Sequence, residues 1–292
     1  MRGAADEDGH DGGSGHGLTT QVRIVRIRSG ERSEVEDVVV RERTVALVVG
    51  GERLLRLQCL PEAIEDLALG LLVTSALLPP NDPVPPIAYS PDEGEVRVDF
   101  APSQERVETL QRNLTLGSGC GSALSSVKGY DPLDCWRKVD TSFRVAAGAI
   151  STAMRAFLHR SEVYVETGGV HAAAIARGAD LFRRGAADSG VRVSDAEIVA
   201  FAEDIGRHNA FDKVIGACRR QGIGLEDKVA LVTGRLSLEL VAKAIPASLP
   251  VLVSRGAPTD AAVRLAGEAN LTLIGFARAE RMNVYAAEWR IQ

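Results

Sequence analysis

The chain is 292 residues long, 45% hydrophobic and 25% charged, with a formal net charge of −5 at pH 7. These totals fit a soluble globular protein of one large or two modest domains. The acidic balance argues against a nucleic-acid binder that works by neutralising phosphates. No apolar run reaches membrane-spanning length, and no basic start followed by an apolar core marks a signal peptide. The expectation is a cytoplasmic protein with no nucleic-acid or membrane partner.

Residues 1–20 read as a disordered tail, because Gly, Asp, His and Ser dominate and almost nothing there can be buried. His10 and His16 in it read as solvated rather than as metal ligands. Apolar residues then recur at strand spacing: Val22, Ile24 and Ile27, next Val38-Val39-Val40, Val45 to Val49, and Leu54 to Leu57. Gly50-Gly51 between the last two is a hairpin signal. A helix opens at Pro61-Glu62, buries Ile64, Leu67, Leu69, Leu71, Leu72 and Leu78, and stops at Pro79-Pro80. A Pro-rich connection leads to a short strand, Val96 to Phe100, and a polar stretch over 103–114 with helical character.

Further on, Arg144 to Leu158 reads as an amphipathic helix, Val163 to Glu166 as a strand, and Val170 to Ile175 as another after Gly168-Gly169. The remainder alternates regularly. Strands are expected at Ile198–Ala202, Val229–Thr233, Val251–Ser254 and Leu271–Phe276. Helices are expected at Asn209–Arg220, capped by His208 or Asn209, and at Leu236–Ile245 and Asp260–Ala269. Strands alternating with helices imply parallel pairing with crossovers. Short apolar runs without alternation fit strands buried on both faces. The fold class is α/β: a smaller strand-rich N-terminal domain over 21–115, a mobile cysteine loop and connection over 116–140, and a C-terminal layered α/β domain over 141–292.

Four cysteines are present, with no C-x-x-C pair and no histidine at zinc-ligand spacing. In a reducing compartment each is core filling or a reactive thiol. Cys218 shares a helical face with Phe211, Val214 and Ile215, and Cys59 ends a strand-like run, so both read as core; Cys135, beside Trp136, stays undecided. Cys120 differs, because it lies in Gly117-Ser118-Gly119-Cys120-Gly121-Ser122-Ala123, a pliable loop that exposes a thiol and lets it reach a partner. Taken alone the stretch also fits an incidental cysteine in a surface turn. As a dinucleotide fingerprint it fails, because Ser122 stands where the third glycine belongs.

In open α/β sheets ligands bind beyond the carboxyl ends of the strands. The residues just after the expected strands include Arg207 and His208, Arg235, Arg255, and Arg278 with Arg281. Each arginine singly fits a solvated or paired side chain. Five on one edge of an acidic protein point to an anionic, phosphate-bearing ligand, helped by helix N-termini. His208 fits a cap, a ligand contact or a proton donor, His171 a satisfied core residue or a site residue, and His159 the surface.

Several stretches resemble the formate dehydrogenase accessory sulfurtransferase family, FdhD/NarQ. They are Glu65-Asp66-Leu67-Ala68-Leu69-Gly70, Thr167-Gly168-Gly169-Val170-His171-Ala172-Ala173, the long run Glu203-Asp204-Ile205-Gly206-Arg207-His208-Asn209-Ala210-Phe211-Asp212-Lys213, Gly234-Arg235 through Lys243, and Asn270-Leu271-Thr272-Leu273-Ile274-Gly275-Phe276. They occur in the family's order. The resemblance implies a C-terminal domain similar to the cytidine deaminase fold without its zinc, and a homodimer. It implies a sulfur carrier that accepts persulfide sulfur from a cysteine desulfurase and passes it to the Mo-bis(molybdopterin guanine dinucleotide) of formate dehydrogenase. The family's cofactor-binding segment falls on Phe276, Ala277, Arg278, Ala279, Glu280 and Arg281, and its persulfide cysteine on Cys120. Two departures stand out. Ala123 replaces the second cysteine of the family's C-G-x-C-G motif, and Thr74-Ser75-Ala76 replaces its usual S-E-G. Without a second thiol no internal disulfide can expel the sulfur, so either Cys120 suffices or the protein binds cofactor without transferring sulfur.

Overall fold

The computed structural model describes residues 17–79, 82–103, 138–177, 198–278 and 281–292. Strands β1 (Thr19–Arg28) and β2 (Glu31–Val40) form an antiparallel hairpin. A four-stranded sheet follows, from β3 (Arg43–Val49), β4 (Glu52–Cys59), β5 (Ile87–Ser90) and β6 (Glu95–Val98), in the order β4-β3-β6-β5. Gly50 and Gly51 both take positive φ, 59° and 86°, which gives the expected β3–β4 hairpin. Strand β1 begins two residues inside the stretch read as tail. Strand β5 lies in the stretch read as a Pro-rich connection, where the short Ile87–Ser90 run has no periodicity of its own.

The larger sheet has six strands: β7 (His171–Arg177), β8 (Ile198–Asp204), β9 (Lys228–Val232), β10 (Val251–Ser254), β11 (Thr272–Arg278) and β12 (Arg281–Ala286), in the order β12-β11-β10-β9-β7-β8. Only β9, β10 and β11 pair in parallel; β7, β8 and β12 run antiparallel to their neighbours. The expected parallel pairing with crossovers thus holds for β9, β10 and β11, and the antiparallel strands make the sheet a mixed one. Only two residues separate β11 from β12, which suffices for a hairpin and not for a crossover.

Both faces of this sheet are covered. Ala172, Ala174, Val229, Leu231, Val251, Val253 and Ile274 face α2 (Ala147–Leu158), which contributes Ile150, Ala153, Met154 and Phe157. Ala173, Ile175, Ala230, Val232, Leu252 and Leu273 face α4 (Arg207–Arg220), α5 (Leu238–Ala244) and α6 (Asp260–Glu268). Burial on both sides explains why these strands read as unbroken apolar runs. Helix α1 (Ile64–Thr74) packs on α4 and on the smaller sheet, so one hydrophobic core joins the two sheets.

Two other expectations change. Residues Val163 to Glu166 are not a strand but part of the short helix α3 (Glu162–Thr167). Its Val163 and Tyr164 N–H groups donate to the Glu203 carboxylate at 3.1 and 3.0 Å, and Gly168 closes it in the left-handed conformation, so tertiary capping overrides β-propensity. Helix α4 begins at Arg207 with Gly206 as its N-cap and no side-chain cap, so neither His208 nor Asn209 caps it.

The α1–α4 contact is extremely close. A Cβ on Gly70 would lie 1.8 Å from the Asp212 carbonyl oxygen, and one on Gly216 would lie 1.9 Å from that of Asp66. Only glycine lets the two backbones touch here. Polar groups fasten the same joint. Arg220 grips Asp66 with two 2.7 Å hydrogen bonds, and Lys243 donates to both Asp212 oxygens and to Thr74 Oγ1. Asp204 is fully buried; it accepts from Leu60 N at 3.1 Å and pairs with Lys213 Nζ at 2.7 Å. Lys213 also donates to the Leu60 and Glu203 carbonyls, and Asn209 Nδ2 donates to Gln58 O. Among the described residues no helix is long and apolar enough to cross a membrane.

Gly216→Ala tests the crossing. In an isolated helix it stabilises by about 1 kcal/mol, whereas here the Cβ has no room, and a net loss of about 3 kcal/mol is expected in urea unfolding. Equal or higher stability would contradict the geometry. Lys213→Met should cost about 3–5 kcal/mol in the same assay, because it strands the Asp204 carboxylate in the core.

Candidate functional site

The carboxyl ends of β9, β10 and β11 share one edge, and the loops leaving them interlock. Ser254 Oγ donates to Gly234 O and accepts from Gly256 N. Leu236 N donates to Ala257 O, Thr259 N to Leu236 O, and Phe276 N to Gly256 O at 3.0–3.1 Å. A Cβ at Gly256 would crowd Gly234 O at 3.0 Å, so that position keeps the loops in backbone contact. Phe276 sits at φ 53°, in the left-handed region that a bulky residue occupies only under strain. The β11–β12 pairing is irregular between Gly275 and Arg278. Arg278, two residues beyond Phe276, is exposed at this edge.

A cavity of about 530 Å³ opens along this edge. Thr233, Arg255, Gly256 and Arg278 supply one part of its wall. Ile205, beyond the end of β8, and Gly168, Gly169, Val170, His171 and Ala172, at the start of β7, continue it. Leu158, Ser161 and Tyr164, from the end of α2 and the start of α3, complete it. The cavity thus combines two guanidinium groups, a few neutral polar side chains and apolar surface, the composition expected of a small-molecule site.

The charge states follow from burial. His171 is half-buried, with Nδ1 3.4 Å from Thr233 Oγ1. Desolvation, and then the Arg207 guanidinium, hold it below the ordinary imidazole range, so it is neutral at pH 7. His208 is pushed down to about 3 by burial, with Lys243, Arg207 and His171 adding to the effect. Its 3.4 Å contact with Glu239 therefore joins a neutral imidazole to a carboxyl group and is not an ion pair. Burial raises the Glu239 carboxyl, while Arg207 and Lys243 pull against that rise. Glu203 is likewise raised by burial, opposed by the two N–H groups it accepts from α3.

The arginines expected on this edge divide. Arg255 and Arg278 line the cavity. Arg207 opens α4 with its aliphatic stem against Gly234, whose Cβ would lie 2.9 Å from Arg207 Cδ; it influences His171 but does not form the cavity wall. Arg235 and Arg281 are exposed outside the lining, and Arg281 pairs in register with Arg278. His208 is buried behind the edge, near Ser237. Phe276 is half-buried, and Ala277 is part of the core beneath α2. Ala279, Glu280, Cys120 and Cys135 lie outside the described residues. The free cysteines Cys59 and Cys218 are buried, and burial pushes both thiols up to about 12, in keeping with the core role read for them.

Sequence reading did not single out Ser161, Tyr164, Ile205 or Thr233. Ser161 and Tyr164 belong to the helix mistaken for a strand. Thr233 was visible as the last residue of an expected strand, and only its pairing with His171 gives it significance.

Comparison with known proteins follows this geometry. A family model described as the FdhD/NarQ family matches residues 40–292. A protein of Wolinella succinogenes called sulfur carrier protein FdhD is 33% identical, over 92% of this chain and 88% of its own. A protein of the same name from Shouchella clausii is 30% identical, over 94% of this chain and 97% of its own. The crystal structure of a putative formate dehydrogenase accessory protein from Desulfotalea psychrophila shares the fold. It superposes with a TM-score of 0.72 at 23% identity, covering 94% of this chain and all of that one. With the family model spanning all but the first 39 residues, the chain belongs to the FdhD/NarQ family.

Proposed function

We propose that this protein is a sulfur carrier for formate dehydrogenase, and that the cavity at the carboxyl edge holds the guanine dinucleotide portion of its molybdenum cofactor. The reading rests on one observation above all: Arg255 and Arg278 line a single cavity, beside the strained backbone at Phe276. Guanidinium groups suit a pyrophosphate because each can donate two parallel hydrogen bonds. The names borne by relatives at about one-third identity over nearly the whole chain support the same assignment. The C-terminal part, from residue 141, takes the role of a cytidine-deaminase-like domain without zinc, and the protein works as a cytoplasmic homodimer.

In this reading the Cys120 thiolate attacks the outer sulfur of a persulfide on a cysteine desulfurase. A new S–S bond forms on Cys120, the donor's S–S bond breaks, and the donor leaves as its thiolate. Delivery of that sulfur as a sulfido ligand consumes two electrons, which a thiol reductant or the molybdenum centre supplies. Ala123 removes the internal thiol that would otherwise do so. The same substitution favours a second reading, in which the protein binds the cofactor for formate dehydrogenase and transfers no sulfur.

Cys120→Ser separates the two. Loss of formate dehydrogenase maturation in cells carrying the variant, with a gain of about 32 Da on the wild-type Cys120 peptide after incubation with desulfurase and cysteine, is expected of a carrier. Normal maturation with the variant would leave only the binding role. Arg278→Gln should weaken GDP binding by roughly tenfold or more, read by calorimetry, since it removes charge-assisted hydrogen bonds. Unchanged affinity would remove the pyrophosphate from this edge.

A further inference from the structure

The cavity has two chemically different ends, and the strand order fixes which is which. Arg278 stands on β11 and Arg255 follows β10, whereas Ile205 follows β8 at the opposite side of the sheet. Helix α3 is tied to that same side, since Val163 and Tyr164 donate to Glu203 on β8. Four strand spacings of about 4.8 Å separate β11 from β8, a distance of about 19 Å. That is ample for an extended nucleoside diphosphate lying along the edge. One end carries the guanidinium groups. The other carries Leu158, Val170 and Ile205, the exposed ring of Tyr164, and Ser161.

Ser161 carries an unused hydroxyl. It is the N-cap residue of α3, where a serine ordinarily accepts from the second or third N–H of the helix. Here the Glu203 carboxylate has taken both groups, and the Ser161 side chain makes no cap bond. Its Oγ belongs to a 5% exposed residue on the cavity wall and has no hydrogen-bond partner among the described residues. A buried hydroxyl without a partner is costly unless a ligand supplies one. Because Glu203 occupies the helix N–H groups, this end offers a neutral donor and acceptor and no anion site.

Building on the assignment of the cavity to a guanine dinucleotide, we propose that the ligand lies along the sheet edge with its diphosphate at Arg255 and Arg278 and its base at Ser161 and Tyr164. Ser161, after a turn between staggered χ1 wells, makes a hydrogen bond to the base edge, and the Tyr164 ring offers it a stacking face. The two residues are specificity determinants for the base and take no part in holding phosphate.

Calorimetric titration of the full chain with GDP and with inorganic pyrophosphate tests this. Wild-type protein should bind both. Ser161→Ala and Tyr164→Ala should each weaken GDP roughly fivefold while leaving pyrophosphate unchanged, and Arg278→Gln should weaken both ligands. Tyr164 is 55% exposed, so its variant reports on the site even if Ser161→Ala unfolds. The orientation is overturned if both base-end variants keep wild-type affinity for GDP, or if they lose pyrophosphate as strongly as GDP. Wild-type protein that binds neither ligand overturns the anion-site assignment itself, and the orientation with it.

Discussion

The contact between α1 and α4 at Gly70 and Gly216 is the constraint on which the rest depends. Two helix backbones meet with no side chain between them, and each glycine lies against a carbonyl of the other helix. This brings the four-stranded sheet, through α1, onto the same core as the six-stranded sheet. It also sets the distance at which Asp66 meets Arg220, Thr74 meets Asp212, and Leu60 meets Asp204. Each of those polar contacts needs sub-ångström placement, and a larger residue at either glycine would pull several of them apart together.

The long run from Glu203 to Lys213 looks, as sequence, like a catalytic motif. Most of it is a joint. Asp204, Asn209, Asp212 and Lys213 are buried and consumed by partners from the N-terminal half or from α5. Glu203 caps α3, and His208 is held neutral behind the edge. Ile205 lines the cavity, and Arg207 bears on it indirectly, through Gly234 and His171. Buried ionic groups like these add little net stability over apolar ones, but they tolerate only one arrangement of their neighbours. Their fixed geometry holds β8 and the start of α4 in one relation to the loops that form the cavity.

Those loops are themselves over-determined. The β9, β10 and β11 exits exchange backbone hydrogen bonds, and Phe276 is held in a conformation of its own accord disfavoured. Strain of this kind persists only where surrounding contacts enforce it, and it gathers at functional sites. The result is a rigid rim from which Arg278 projects, facing a wall that α3 completes from the far side of the sheet.

The sequence by itself determined the class of the fold, the position of most strands and helices in the C-terminal half though not of β12, the core role of Cys59 and Cys218, and the rim that gathers Arg255 and Arg278. These are short-range properties: apolar periodicity, glycine and proline punctuation, and the order of polar residues after strands. The antiparallel placing of β7, β8 and β12, the helical state of Glu162–Thr167, the division of the arginines into two that line the cavity and three that do not, and the idle hydroxyl of Ser161 were decided only by tertiary structure. Each depends on partners distant in the chain, such as Glu203 for α3 and Gly234 for Arg207. No local pattern encodes which distant group will occupy a donor or fill a space, because that is settled when the two helices close at their glycines and the sheet order becomes fixed.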